Sequence, residues 1–191
     1  MKRRLGILAL TIAAWPVAAF AQSTDTDDGQ VGVDGSVAPI CILGDPSPAQ
    51  VDLGQMAETA GARVGRIKTI ADQSVTLADS FCNFAGSEVT VDATALLTTD
   101  ATTPPAGFSR AVNFTATASG WAGTDSAATT AALADGTNPD ASGTGSTQPL
   151  PKLADIQVDL TSFTVPGDNL MIAGDYSGTV VVTLGPAQQA P

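Results

Sequence analysis

Histidine is absent from all 191 residues. That removes imidazole general-base catalysis and the commonest metal-binding side chain at once. Bases are scarce: eight Lys and Arg stand against nineteen Asp and Glu, and three of the eight are Lys2, Arg3 and Arg4. From Gln22 to Pro191 the balance is 5 − 19 = −14. Duplex affinity depends on basic groups displacing counterions from phosphates, so a nucleic-acid binder is excluded. An anionic membrane surface would repel such a chain. Aromatics are also few; seven lie beyond residue 21, so a core must be built from Val, Ile, Leu and Ala.

Long apolar runs are missing after the first twenty residues, and no later stretch approaches the ~20 needed to cross a bilayer as a helix. No integral membrane segment is therefore expected after residue 21. No Gly-x-Ser-x-Gly elbow occurs, and without a base beside them the many Ser and Thr are not nucleophiles. Acid pairs such as Asp27/Asp28 and Asp155/Asp159 read as solvated surface charge. The run Asp25-x-Asp27-Asp28-Gly29 lacks the spacing of a calcium loop, with Ser36 where the closing glutamate belongs. No enzyme, cofactor or metal site is indicated.

What is present begins with export. A cationic start, an apolar segment and Ala19-Phe20-Ala21 form a secretory signal peptide over residues 1–21. The product is expected to be secreted, passing through a periplasm to the cell surface or beyond. In that setting Cys41 and Cys82, the only thiols, are expected to form a structural disulfide.

Residues 22–29 are a polar extension, and 30–186 read as one β domain ending in a short tail over 187–191. Val31, Val33, Gly35 and Val37 alternate with polar neighbours. Val112 to Ala118 and Ile156 to Leu160 do the same, and the last strand places Tyr176, Val180, Val182 and Leu184 on one face. Asn113-Phe114-Thr115 matches a glycosylation sequon inside an expected strand. Phe114 and Trp121 read as core. The stretch 123–149 holds one large apolar residue, Leu133, and reads as a long low-complexity loop. Seven or eight short strands with little helical period predict an all-β fold, a two-sheet sandwich.

Several blocks occur in a suggestive order: Gly29-Gln30-Val31-Gly32-Val33 before Cys41, then Val51-Asp52-Leu53-Gly54, Phe81-Cys82-Asn83, Val112 to Ala118, and Ala173-Gly174-Asp175-Tyr176-Ser177-Gly178-Thr179-Val180-Val181-Val182-Thr183. With these the chain resembles the spore coat protein U domain family, which includes subunits of archaic chaperone–usher pili. The resemblance implies an immunoglobulin-like, pilin-like β-sandwich missing its final strand. A neighbour's N-terminal extension would complete it, with like subunits and a periplasmic chaperone and usher as partners. Val31, Val33, Gly35 and Val37 are then the candidate donor strand. The alternatives are that this segment is the first strand of a self-contained sandwich, and that the protein is a free-standing secreted or periplasmic binding domain using the 123–149 loop.

Overall fold

The computed structural model describes residues 27–99 and 103–187. The expected signal peptide, residues 1–21, and most of the tail lie outside them. The chain divides into two units, 1–36 and 37–191. All the strands described below belong to the second unit, which is all-β and sandwich-like, without an α-helix among the described residues.

Its strands are β1 (Cys41–Ile42), β2 (Pro46–Ser47), β3 (Gln73–Cys82), β4 (Ser87–Ala93), β5 (Leu96–Thr98), β6 (Phe108–Ser109) and β7 (Ala111–Ser119). They continue with β8 (Ser126–Thr129), β9 (Ala141–Thr144), β10 (Lys152–Thr164), β11 (Leu170–Met171), β12 (Tyr176–Ser177) and β13 (Val180–Pro186). The larger sheet runs β1-β3-β10-β7-β5-β12, with β2 on β3 and β8 on β7. The facing sheet is β13-β4-β9, and β11 and β6 form a separate short parallel pair.

Alternation explains which face each strand buries. Phe114, Ala116 and Ala118 of β7, Val89, Val91 and Ala93 of β4, and Ile156 and Val158 of β10 meet in one buried cluster with Leu77, Cys82 and Trp121. Their polar neighbours point the other way, as a period of two requires. Trp121 buries its ring and donates its indole N–H to Ser87 Oγ at 3.2 Å. It is core, as the sequence suggests.

β10 is the central strand, antiparallel to β3 on one side and β7 on the other. Between the pairs Ala154↔Ser80 and Ile156↔Leu77, Ala78 and Asp79 of β3 oppose Asp155 alone. This is a β-bulge. Asp79 takes φ 56°, and its N–H donates to Asp155 Oδ1 at 2.9 Å; aspartate tolerates that left-handed conformation better than most residues. Gly44 lies against the bulge so closely that a Cβ would collide with the Ala78 carbonyl. Glycine there lets the β1–β2 edge approach the sheet.

The stretch 123–149 departs from the expected loop, since it contains β8 and β9. The reason is close approach rather than large side chains. Ser126 is buried, its hydroxyl donates to the Gly143 carbonyl, and it accepts the Val91 N–H at 3.1 Å. A Cβ on Gly143 would strike the Ala127 backbone. Small residues here let β8, paired with β7 in the larger sheet, come close to β9, paired with β4 in the facing one, and their ordering is offset by hydrogen bonds and by Ala128 in the core. Val51 to Leu53 carry no strand, and β3 runs without a break from Gln73 through Cys82.

Candidate functional site

Cys41 and Cys82 are bonded, the disulfide expected from the sequence. They face each other across the β1–β3 ladder, Cys41 opposite Cys82 and Ile42 opposite Phe81. The pairing continues before β1: Ile40 N–H donates to Asn83 Oδ1 at 2.8 Å and Asn83 Nδ2 donates to the Ala38 carbonyl at 2.9 Å. The disulfide and Asn83 thereby pin the start of the second unit to the end of β3.

β13 ends the facing sheet: it pairs with β4 from Val180↔Ala93 to Pro186↔Ser87, and no other described strand pairs with it. Val180, Val182 and Leu184 turn inward and Val181 and Thr183 outward, as read from the sequence. Tyr176 belongs to β12 instead, paired with β5 of the larger sheet (Tyr176↔Thr98). The chain crosses from one sheet to the other at Gly178–Thr179, where Thr94 Oγ1 accepts the Thr179 N–H at 3.0 Å. Gly178 sits against the Thr94 and Ala95 carbonyls, with no room for a side chain.

Between the free side of β13 and the β1–β2 edge lies an open groove of about 600 Å³. Its walls are Val180 and Val182 on one side and Leu43, Val51 and Leu53 on the other, with Phe114, Val158 and Leu160 among the residues at its base. No Asp, Glu, Lys or Arg lines it. Phe163 stacks beside Phe114 with ring centroids 5.9 Å apart. Burial pushes the Tyr176 phenol, at the β12 end, above its ordinary value, and its hydroxyl donates to the Ile172 carbonyl at 2.8 Å. Tyr176, Val180 and Val182 line the groove and Leu184 does not; Val180, Val182 and Leu184 all pack against the core cluster. Sequence reasoning missed Leu43, Leu160 and Phe163. The signal was faint: Val51 and Leu53 alternate in a segment with no strand partner.

The predicted donor residues belong largely to the first unit. Residues 27–40 carry no strand, and Val31, Val33 and Val37 are 85%, 91% and 86% exposed. Gly35 is exposed too. The period-2 pattern is thus present without a ladder to use it.

Other candidates resolve as structure. Asn113 of the sequon spends its amide on the loop after β8: Nδ2 donates to the Ala132 carbonyl at 3.0 Å and Oδ1 accepts the Ala132 N–H at 2.7 Å. Among the described residues no cluster of His, Cys, Asp and Glu could hold a metal ion, and no helix is long and apolar enough to cross a membrane.

A polar clasp was invisible in the sequence. Residues 56–68 fold back on themselves, with Lys68 N–H to the Met56 carbonyl at 2.9 Å and Glu58 N–H to Arg66 O at 2.8 Å. Arg63 and Arg66 then reach Asp168 at 2.8 and 3.1 Å. The hydrogen bond from Arg63, and then the charges of both arginines, hold the Asp168 carboxyl below its ordinary value. A lowered carboxylate stabilises the fold above its unfolded value and stops doing so as pH falls through the folded one. Acidification below about pH 4, or Asp168→Asn, should therefore free the 56–68 excursion. Amide exchange at Gly65 and Arg66 should accelerate while the global melting temperature stays nearly constant, because exposed ion pairs contribute little.

Compared with family models, with curated proteins and with solved structures, the chain matches none. What the coordinates define is a class: a disulfide-bearing, all-β, sandwich-like protein with an open apolar groove along one sheet edge.

Proposed function

We propose that this protein is an exported structural subunit of a cell-surface pilus or coat-like assembly, joined to its neighbours by strand donation. The observation that carries it is the groove of about 600 Å³ beside the unpaired side of β13. A sheet edge with an apolar interior behind it attracts another backbone, and natural proteins cover such edges or pair them. β13 has seven residues, and Val31 to Val37 is also seven, about 23 Å of extended chain at ~3.3 Å per residue.

Donated along β13, that segment would place Val31, Val33, Gly35 and Val37 against the apolar base and its polar residues outward. Each valine buried contributes on the order of 1.5–3 kcal/mol, and the backbone supplies a ladder. The resemblance to the spore coat protein U domain family points the same way, and implies a periplasmic chaperone to cover the groove in transit.

The test is to express the chain from Gln22 and a version lacking 22–35, then look for oligomers by electrophoresis in mild SDS without heating. Strand donation predicts SDS-resistant ladders from the longer chain and none from the shorter one. A shorter chain that stays folded and monomeric, with no ladder from the longer chain either, would leave a free-standing β-sandwich binding domain as the better account.

A further inference from the structure

The segment read as donor is acidic: residues 22–37 hold Asp25, Asp27, Asp28 and Asp34 and no Lys or Arg. Asp27, Asp28 and Asp34 are exposed. The acceptor is rimmed by the same sign. Asp45, Asp52 and Asp175 adjoin lining residues in the chain and are exposed, and no Lys or Arg is next in sequence to any residue of the groove.

Of the five cations beyond residue 21, four are engaged, and the fifth, Lys68, adjoins no residue of the groove. Arg63 and Arg66 are held by Asp168. Arg110 donates to the Thr98 carbonyl at 2.9 Å. Lys152 donates to the carbonyls of Gly120 and Trp121 at 2.7 and 2.5 Å. An apolar groove that attracts a strand is thus set inside a field that repels the strand this chain has to offer.

We propose that ionic strength gates the joint: two copies exchange strands slowly in dilute salt and fast once their charges are screened. The proposal rests on the strand-donation reading of the groove. Each copy from Gln22 carries −14. The screening length is about 30 Å at 0.01 M salt and about 8 Å at 0.15 M. The first exceeds the length of the donated segment, so every acid on it feels the rim; the second is shorter than that segment. Charge fields of this kind change association rates by about 10- to 1,000-fold, here as a retardation. Once seated, the strand is held by apolar contacts and backbone hydrogen bonds, so salt acts on the rate of joining far more than on release.

The experiment follows SDS-resistant ladder growth of the chain from Gln22 between 10 and 300 mM NaCl, beside the triple variant Asp27→Asn, Asp28→Asn, Asp34→Asn. Val182→Arg serves as a groove-blocked control, its folding checked by circular dichroism. The expected result is at least a roughly tenfold faster ladder in high salt, cut to about twofold or less in the triple variant. Salt also strengthens apolar burial, and the triple variant separates that contribution because its apolar residues are unchanged. Ladder growth indifferent to NaCl, or an undiminished salt effect in the triple variant, overturns the gating while donation stands. Ladders that survive in folded Val182→Arg, or none from any chain at any salt, overturn the strand-donation reading and the gating with it.

Discussion

Replacing Cys41 and Cys82 together by alanine should lower stability by on the order of 4 kcal/mol, with the denaturant midpoint falling and the two sheets still forming in the survivors. The magnitude follows from the sequence separation of 41. Cutting the link frees a long loop in the unfolded chain, and the entropy so recovered favours unfolding in the chain-entropy account. The loss should not be uniform. β1 is two residues long and, among the described strands, pairs only with β3, so without the bond it has two ladder positions and the Asn83 contacts to hold it. Leu43, which follows β1, is a wall of the groove. Hydrogen exchange should therefore show β1 and the 43–48 edge opening first, with β10 and β7 protected to the global limit. A change under about 1 kcal/mol in urea melts, or protection lost equally in β10, would mean that the bond does not organise this edge.

Several long strands were legible from alternation, because a strand half buried in a sandwich must alternate; β3, second in length, was not, since its bulge breaks the period. β7 and β13 show it; β10 does so too but runs further than its own pattern, to Lys152 where β3 holds it and to Thr164 where β7 does. β8 and β9 were not legible. Their stability comes from Ser126 bonding across to Gly143 and from the absence of side-chain bulk, and a composition of Gly, Ala, Ser and Thr looks the same in a loop. Tyr176 illustrates a second limit. It is in phase with Val180 and Val182, yet Gly178 carries the chain to the opposite sheet, and period alone does not reveal which sheet a strand joins. The groove was inaccessible for a related reason. It is made by what fails to pair with β13 and by the approach of Leu43, Val51 and Leu53, a relation among segments more than a hundred residues apart in the chain.

Phe114→Ala should have the other large effect, destabilising the protein by about 3–5 kcal/mol. The side chain is 4% exposed, in the middle of β7, stacked on Phe163 and packed in the principal core. Its removal forfeits the transfer free energy of the ring and leaves a void, because β7 is tied on one side to β10 and on the other to β8 and cannot collapse inward. The backbone at this position is doubly fixed: its N–H donates to Thr130 Oγ1 at 2.9 Å and its carbonyl accepts the Thr130 N–H at 3.0 Å. Phe114 also forms part of the groove base, so the variant separates two consequences that coincide at most core positions. A strand seated in the groove should lose contact area, and ladders should dissociate at lower SDS or temperature than the fall in monomer stability alone requires. Ile156→Val, fully buried and outside the groove lining, is the matched control: it should cost about 0.5–1.5 kcal/mol and leave the joint between copies as resistant as before. Equal weakening of the ladder by both variants, scaled to their stability losses, would mean that the base of the groove makes no contact with whatever seats above it.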